Sequence, residues 1–521
     1  MLKTLLQDNF SNPSSLITIV LGIIFPVILY KLWSSNKSSS TNNKNLPPSP
    51  RSIPIIGNLH QLGPYPHRTL RDLSRRHGDD LMLLRLGSVP VLVVSSSDTA
   101  REVMKTHDLA FCDRPRMASS EKLLYDFKDV SSAPYGEYWR QMRSTCVLHL
   151  LSNARVKSFR GVREEETKLM ADKIHNSCSS SSAVNLSELF AGLTNDVVCR
   201  VALGRKYSDD GESGREFKEL LGGVGELLGI FNVGDYIPML AWLSHVNGLY
   251  GRMDKVAKDF DEFLEKVVEE HKEHVDDLNE DRHKDNLVDI LLWIQKENLL
   301  GFPIDRTCIK ALILDMFAAG TDTTYTVLEW AMTELLRHPK AMKKLQNEVR
   351  TIVGHKTGVT EDDLEKMPYL KAVFKETLRL HPPVPLLVPR VSRKDVKIKG
   401  YDVVAGCQVF INAWAIGRDP RTWDNVEKFE PERFFNSVVD YKGQDFALIP
   451  FGAGRRGCPG ILFVMAVNEI ALANVVHNFD WQLPDGARGE DLDMTETSGL
   501  TVHRKFPLMA LPKLLTKSTV I

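Results

Sequence analysis

One short run limits what this chain can become. It is PFGAGRRGCPG, Pro450 to Gly460, followed at once by the apolar stretch ILFVMAVNEIALANVVHNF. Glycines at 452, 454, 457 and 460 let a backbone fold tightly and come close to a ligand. A loop of this kind can aim amide N–H groups at the Cys458 sulfur, and the helix that follows adds its positive N-terminal end. Both effects favour a thiolate, the state that ligates iron and pushes electron density towards a bound O–O bond. Arg456 can meet a haem propionate through a charge-assisted fork, and Phe451 can cover the sulfur side of the macrocycle. A lone cysteine is more often a small buried hydrophobe. Here four glycines, an aromatic and an arginine crowd around one sulfur, which argues for a ligand. Cys112, Cys146, Cys178, Cys199, Cys308 and Cys407 stand far apart, so neither a zinc site nor a disulfide framework is expected. That usage suits a reducing, cytosol-facing body.

The rest of the chain reads as mainly α with small β-sheets. MLLRLGSVPVLVVSS (Met82 to Ser96) alternates and is β-branched, which predicts a hairpin. A second patch of short strands is expected from Lys394 to Trp414. Ile304 to Leu336 carries an uninterrupted helical pattern, about 45–50 Å long, closed by His338 and Pro339. Its middle, FAAGTDTTYT, is an abrupt polar group in an apolar helix. Small Ala318, Ala319 and Gly320 let a flat cofactor and dioxygen approach the backbone. Thr323 can bond the Ala319 carbonyl one turn earlier and open the helix. Asp322 beside it can relay protons, and an acid–alcohol pair suits delivery of protons to oxygen. In MPYLKAVFKETLRLHPP, Glu376 and Arg379 are i, i+3 neighbours able to form an ion pair. Trp139 and Arg143 share one helix face. Asp261 to Asp285 reads as a solvated charged run and Ser177 to Ala183 as a surface connector. Lys plus Arg is 66 against 67 for Asp plus Glu, so no global field points to nucleic acid.

Leu16 to Trp33 is close to the minimum for a bilayer span, and Pro26 is tolerated inside one. Tyr30 and Trp33 sit where interface anchors belong, and no small-residue cleavage site follows. Lys31, Lys37, Lys44 and Arg51 follow the span and only Lys3 precedes it, which places the body in the cytosol. Residues 1–33 therefore read as a single transmembrane anchor, 34–46 as a polar linker, and 47–521 as the folded body.

FGAGRRGCPG resembles the haem-binding signature of the cytochrome P-450 family, and the likeness runs from the stiff, proline-rich entry LPPSPRSIPIIGNL (Leu46 to Leu59) to the C-terminus. It is nearest to the plant microsomal enzymes of specialised metabolism. The resemblance implies the P-450 fold and haem b, with an axial thiolate from Cys458. It assigns Trp139, Arg143 and Arg390 to the haem propionates, and Thr323 with Asp322 to proton delivery. In it Arg433, from FEPERFF, joins Glu376 and Arg379 to brace the cysteine loop. It further implies dioxygen, and electrons from NADPH through a flavoprotein reductase docking near Arg455 and Arg140. The setting would be the endoplasmic reticulum membrane.

By the same resemblance, substrate-facing segments lie around Phe111 to Ala133, Leu220 to Ile230, Pro382 to Pro389 and Ser498 to Thr501. Phe127, Leu386, Leu387 and Leu500 predict a mostly apolar chamber. Asp126 and Asp129 are candidate partners for a cationic amine. The expected reaction is oxidation of a C–H or C=C bond in a terpenoid or terpenoid-derived indole alkaloid. Phenylpropanoids and coumarins come next. A reductase-independent haem-thiolate isomerase or dehydratase is the rival enzyme, and a haem-binding sensor the non-catalytic one; the acid–alcohol pair argues against both.

Overall fold

The computed structural model describes residues 44–515, apart from 180–181, 208–211, 278–285 and 300–301. The first part of the chain forms α1 (Pro66–His77), β1 (Leu81–Leu86), β2 (Val89–Val94), α2 (Glu137–Thr145) and α3 (Arg160–Cys178). Next come β3 (Val184–Asn185), α4 (Leu186–Leu203), α5 (Glu212–Gly229), α6 (Leu249–Asp277) and α7 (Leu287–Lys296). The second half holds α8 (Arg306–Gly320), α9 (Asp322–Arg337), α10 (Pro339–Val353) and α11 (Pro368–Leu380). It ends with β4 (Arg390–Val391), β5 (Val396–Ile398), β6 (Tyr401–Val403), β7 (Gln408–Ile411), α12 (Ile461–Asn478), β8 (Phe479–Gln482) and β9 (Met509–Leu514).

Both strand patches expected from the sequence are present. β1 and β2 pair antiparallel, with Leu81 opposite Val94, as β-branched side chains on a half-buried pleat favour. β2 then runs parallel to β7, Val91 opposite Gln408, and the sheet order is β1-β2-β7-β4. A second sheet, β3-β9-β8, and the β5–β6 hairpin complete the strands. The other regular elements among the described residues are helices, joined by turns and loops.

The hub is α12. Ile470, Ala471, Leu472, Ala473, Val475 and Val476 are fully buried, and the helix packs against α3, α9 and α10. A helix apolar on all sides belongs inside a core or a membrane. Among the described residues it is the only single helix long and apolar enough to span a bilayer, and its burial makes it a core element. The anchor expected at Leu16 to Trp33 lies outside the described residues.

Two expectations are corrected. The Ile304–Leu336 stretch is two helices: α8 starts at Arg306, capped by the Asp305 carboxylate on the Cys308 amide at 2.7 Å, and α9 starts at Asp322. The hydroxyls of Thr323 and Thr324 donate to the carbonyls of Ala319 and Gly320 at 2.5 and 2.6 Å. These side chains compete with backbone amides. The amides of Thr321 and Tyr325 reach back only at 3.3 Å. The charged run of α6, in turn, is not simply solvated. Lys310 of α8, only 8% exposed, is held by Asp261 and Glu265 at 2.5 and 3.0 Å, because a buried ammonium needs partners.

Candidate active site

The cysteine loop folds back on itself before α12 begins. Gly452 and Gly454 take φ of 68° and 66°, and a Cβ at Gly454 would sit 2.2 Å from the Met104 carbonyl, so only glycine fits there. The Gly457 amide donates to Gly454 O at 3.0 Å and the Cys458 amide to Phe451 O at 2.9 Å. One amide reaches the sulfur, Gly460 N at 3.3 Å from Sγ. Burial pushes the free Cys458 thiol up, and the Gly460 amide and Arg143 only partly oppose it. One amide is directed at the sulfur, where the sequence suggested several. A bound metal ion is what deprotonates a coordinating thiol outright.

Cys458 and Phe451 open onto one cavity with Trp139, Arg143, Arg390, Arg456 and Thr323. These side chains come from segments more than 300 residues apart, brought together by α2, α9, β4 and the loop. Arg143 donates to Gly457 O at 2.6 Å and Arg390 to Ala453 O at 2.7 Å, so both clamp the cysteine loop. Asp108 lies 3.4 Å from Arg390, and Asp315 borders the same cavity. Arg114, which sequence reasoning missed, lines the same cavity. It donates to Ser131 O at 2.9 Å and to Val388 O and Pro389 O at 2.7 and 2.8 Å. Burial, then the neighbouring Arg456 and Arg390, hold its guanidinium well below its ordinary range. Four guanidiniums border a largely apolar space against the single carboxyl of Asp315. Such a cavity fits a flat apolar cofactor carrying carboxylates.

Two residues differ from their expected posture. Arg456 donates to Cys112 O at 2.7 Å, Ala133 O at 2.6 Å and Val130 O at 3.3 Å, leaving only its remaining N–H groups for a ligand. Trp139 lies 4.2 Å under that guanidinium and gives its single indole N–H to Val130 O at 3.0 Å. With that donor spent, Trp139 supports the arginine and the loop instead of reaching a propionate.

Ala319, Gly320 and Thr323 line the cavity where α8 gives way to α9. Asp322 does not line it. One residue earlier on the helix, it faces away, beside the Tyr325 hydroxyl. The acid thus stands behind the alcohol.

The structural triad is fully assembled. Arg379 meets Glu376 at 2.7 and 2.8 Å, and Arg433 Nε donates to the same carboxylate at 3.0 Å.

Of the apolar residues expected around the substrate, Leu387 lines the cavity, together with Val198, Val201, Met316 and Val384. Leu386 packs instead beneath the β1–β2 sheet, Phe127 lies under Arg116, and Leu500 is 38% exposed. No described residue of α5 borders the cavity. Neither amine-binding candidate does so either. Asp126 is 75% exposed and faces Arg116 at 3.9 Å. Asp129 is fully buried, its oxygens taken by the Ser131 hydroxyl and by the amide and hydroxyl of Ser132. Asp126→Asn is accordingly expected to leave spectral binding of amines and of neutral ligands unchanged within about twofold. A selective loss of amine binding would contradict this placement. The carboxyl that does border the cavity, Asp315, was not singled out, because on a helical wheel it is just one polar residue in an apolar stretch.

A mainly helical body, small sheets at one side and a glycine-bent cysteine loop facing a cationic, apolar cavity define a haem-thiolate protein. Residues 47–509 match the family model Cytochrome P450. The chain belongs to that family, whose members bind haem b through a cysteine thiolate, here Cys458. It is 66% identical over 508 residues to Cytochrome P450 736A117 of Prunus mume, covering 97% of this chain and 96% of that protein. It is 51% identical over 507 residues to norfluorocurarine oxidase of a Strychnos species, covering 96% and 98%. A zebrafish cytochrome P450 structure with progesterone superposes at a TM-score of 0.74 with 24% identity, over 86% of this chain and 99% of that one. That structure supports the fold alone. The protein is a cytochrome P450 monooxygenase of the plant type.

Proposed function

We propose that this monooxygenase is membrane-anchored and oxidises a small, largely apolar plant metabolite, a terpenoid or a terpenoid-derived indole alkaloid. Its electrons come from NADPH through a flavoprotein reductase. One observation carries the reading: Cys458, the small-residue turn at Ala319 and Gly320, the Thr323 hydroxyl and an apolar wall all border a single cavity. The Strychnos relative, by its name an oxidase of norfluorocurarine, supports an oxidation of this kind.

When bound, haem supplies the activation of dioxygen, one atom entering the substrate and the other leaving as water. The chain supplies the rest. Arg143, Arg390 and Arg114 present N–H groups to the cofactor's carboxylates, and Arg456, stacked on Trp139, stiffens the loop around them. Ala319 and Gly320 leave room for dioxygen beside the backbone. Thr323 holds a proton at its hydroxyl, and Asp322 resupplies it from the far side of the helix. Val198, Val201, Met316, Val384 and Leu387 exclude water and orient an apolar skeleton. Glu376, Arg379 and Arg433 brace the loop from behind.

Membrane seating has support within the described residues. The bent pair Glu216–Tyr236 and Pro238–Val246 exposes Phe231, Met239, Trp242 and Val246, each more than half accessible. Grouped exposure of large apolar side chains marks a membrane or partner surface. With residues 1–33 as anchor, the body would rest on the cytosolic face of the endoplasmic reticulum.

The test is turnover of the full chain with a plant reductase, with and without NADPH. The panel holds terpenoids, indole alkaloids, phenylpropanoids and coumarins. NADPH-dependent oxygenation of a terpenoid or alkaloid is expected. NADPH-independent turnover would point to an isomerase, and activity confined to phenylpropanoids or coumarins would displace the substrate assignment. Within the same assay, Thr323→Ala is expected to lower product formed per NADPH by about tenfold or more. NADPH oxidation should continue, with peroxide replacing product. Unchanged coupling would remove Thr323 from the proton path.

A further inference from the structure

Away from the haem chamber lies a second cavity, with no lining residue in common. Its volume is about 620 Å³, within the range of small-molecule sites. It opens where α9 ends, between Leu336, Arg337 and Pro339 on one side and the 481–483 and 486–490 segments on the other. Arg337 stands fourteen residues beyond Thr323, about 20 Å along the helix axis. The 486–490 turn is pressed against the helix end. A Cβ on Gly489 would stand 2.5 Å from Leu336 O and 2.6 Å from Arg337 Cα, so glycine alone lets the two segments meet. Trp481 gives its indole N–H to Val475 O at 3.1 Å and packs edge-on to Phe479. With that donor spent, it offers the cavity an apolar ring, beside Leu336, Pro339 and Leu483.

Three charged side chains border this space. Arg488 and Glu490 meet each other at 2.7 Å and balance. Arg337 is not balanced. Glu334 stands 3.7 Å from its Nη1, and that carboxylate already faces His381 at 2.7 Å and His338 at 3.2 Å. The Nε of Arg337 is buried and has no hydrogen-bond partner among the described residues. A buried N–H without an acceptor costs stability, and an anion in the cavity would supply one. We propose that this cavity binds a small organic anion, a carboxylate or sulfonate on an apolar body about two fused rings in size. Its oxygens meet Arg337 and its rings lie against Trp481 and Leu483. The site is separate from the haem chamber, and its occupant need not be a substrate.

The test uses haem-loaded full-length protein with imidazole on the iron, and two probes of one skeleton, 2-naphthoate and its neutral amide. Binding is read by isothermal titration calorimetry, with the Soret band followed in parallel. The wild type is expected to bind 2-naphthoate about 10- to 100-fold more tightly than 2-naphthamide, the range for a hydrogen bond to a charged group. The imidazole-bound Soret band should stay in place. Arg337→Gln should bring 2-naphthoate down to the affinity of the amide and leave the amide unchanged. Ala487→Trp, at the exposed rim of the cavity, should block both probes without disturbing the fold. A wild type without preference for the anion overturns the proposal, a result that needs no variant to fold. So does a preference that survives both substitutions. Displacement of imidazole by 2-naphthoate would place the probe in the haem chamber and overturn it equally. Oxygenation of other substrates is independent of all these outcomes, so failure here leaves the monooxygenase reading standing.

Discussion

Cys458→Ser should yield a folded protein that has lost its chemistry. The loop does not depend on the sulfur for its shape: Cys458 N to Phe451 O and Gly457 N to Gly454 O are backbone bonds, and the two arginine side chains clamp loop carbonyls. The sulfur itself receives one amide, at 3.3 Å. A serine hydroxyl fits the space but is neither a soft nor an easily ionised ligand, so the electron donation a thiolate gives towards O–O cleavage disappears. The reduced, carbon monoxide-treated variant should lack the red-shifted Soret band of thiolate ligation. NADPH-dependent product should fall on the order of a thousand-fold or more, the scale of removing a group that acts mainly in the transition state. Far-UV circular dichroism should remain that of the wild type. A variant retaining both the band and the product would remove Cys458 from the iron, and with it the assignment of the whole cavity.

The sequence revealed more of this site than of its surroundings, for a physical reason. The cysteine loop is local: its glycines, arginine and aromatic lie within a few residues and answer to one short-range geometry. The hairpin at β1–β2 and the helix start at Pro368 are similarly local. What escaped was set by packing across the chain. Arg114 is an unremarkable arginine beside a proline until the fold carries it to the carbonyls of Val388 and Pro389. The break at Thr321 needs the side-chain hydroxyls of Thr323 and Thr324 to compete with amides, which helical periodicity does not register. Asp126 and Asp129 looked alike in sequence. Burial separated them, one to solvent and one to its own loop, while the acid facing the chamber, Asp315, sat far off on α8. An aspartate inside an otherwise apolar helix is the faint signal that would have flagged Asp315; Arg114 beside its proline carried none.

The second large effect is expected behind the loop, at Glu376. This carboxylate and Arg379 are completely buried. Glu376 takes four hydrogen bonds, two from Arg379, one from Arg433 at 3.0 Å and one from the Glu430 amide at 2.8 Å. Arg379 spends its other N–H groups on the carbonyls of Gly417, Val426 and Lys428 at 2.7, 2.7 and 2.9 Å. The cluster thereby ties α11 to the 417–433 segment. Glu376→Ala would leave two guanidiniums and an amide without their acceptor in a dry interior, a loss of roughly 3–5 kcal/mol. Glu376→Gln keeps the shape and some acceptors, and should fall between Ala and wild type. Urea unfolding should show a lower midpoint with an unchanged slope, since the change is in stability rather than compactness. The exposed pair Lys258–Glu262, 3.6 Å apart on α6, provides the contrast: breaking it should move the midpoint hardly at all. Whatever Glu376→Ala protein does fold should keep the thiolate-type carbon monoxide band, because none of the triad's hydrogen bonds reaches the sulfur. A midpoint close to wild type would mean that the surrounding carbonyls alone suffice to hold both arginines, and that the brace is redundant.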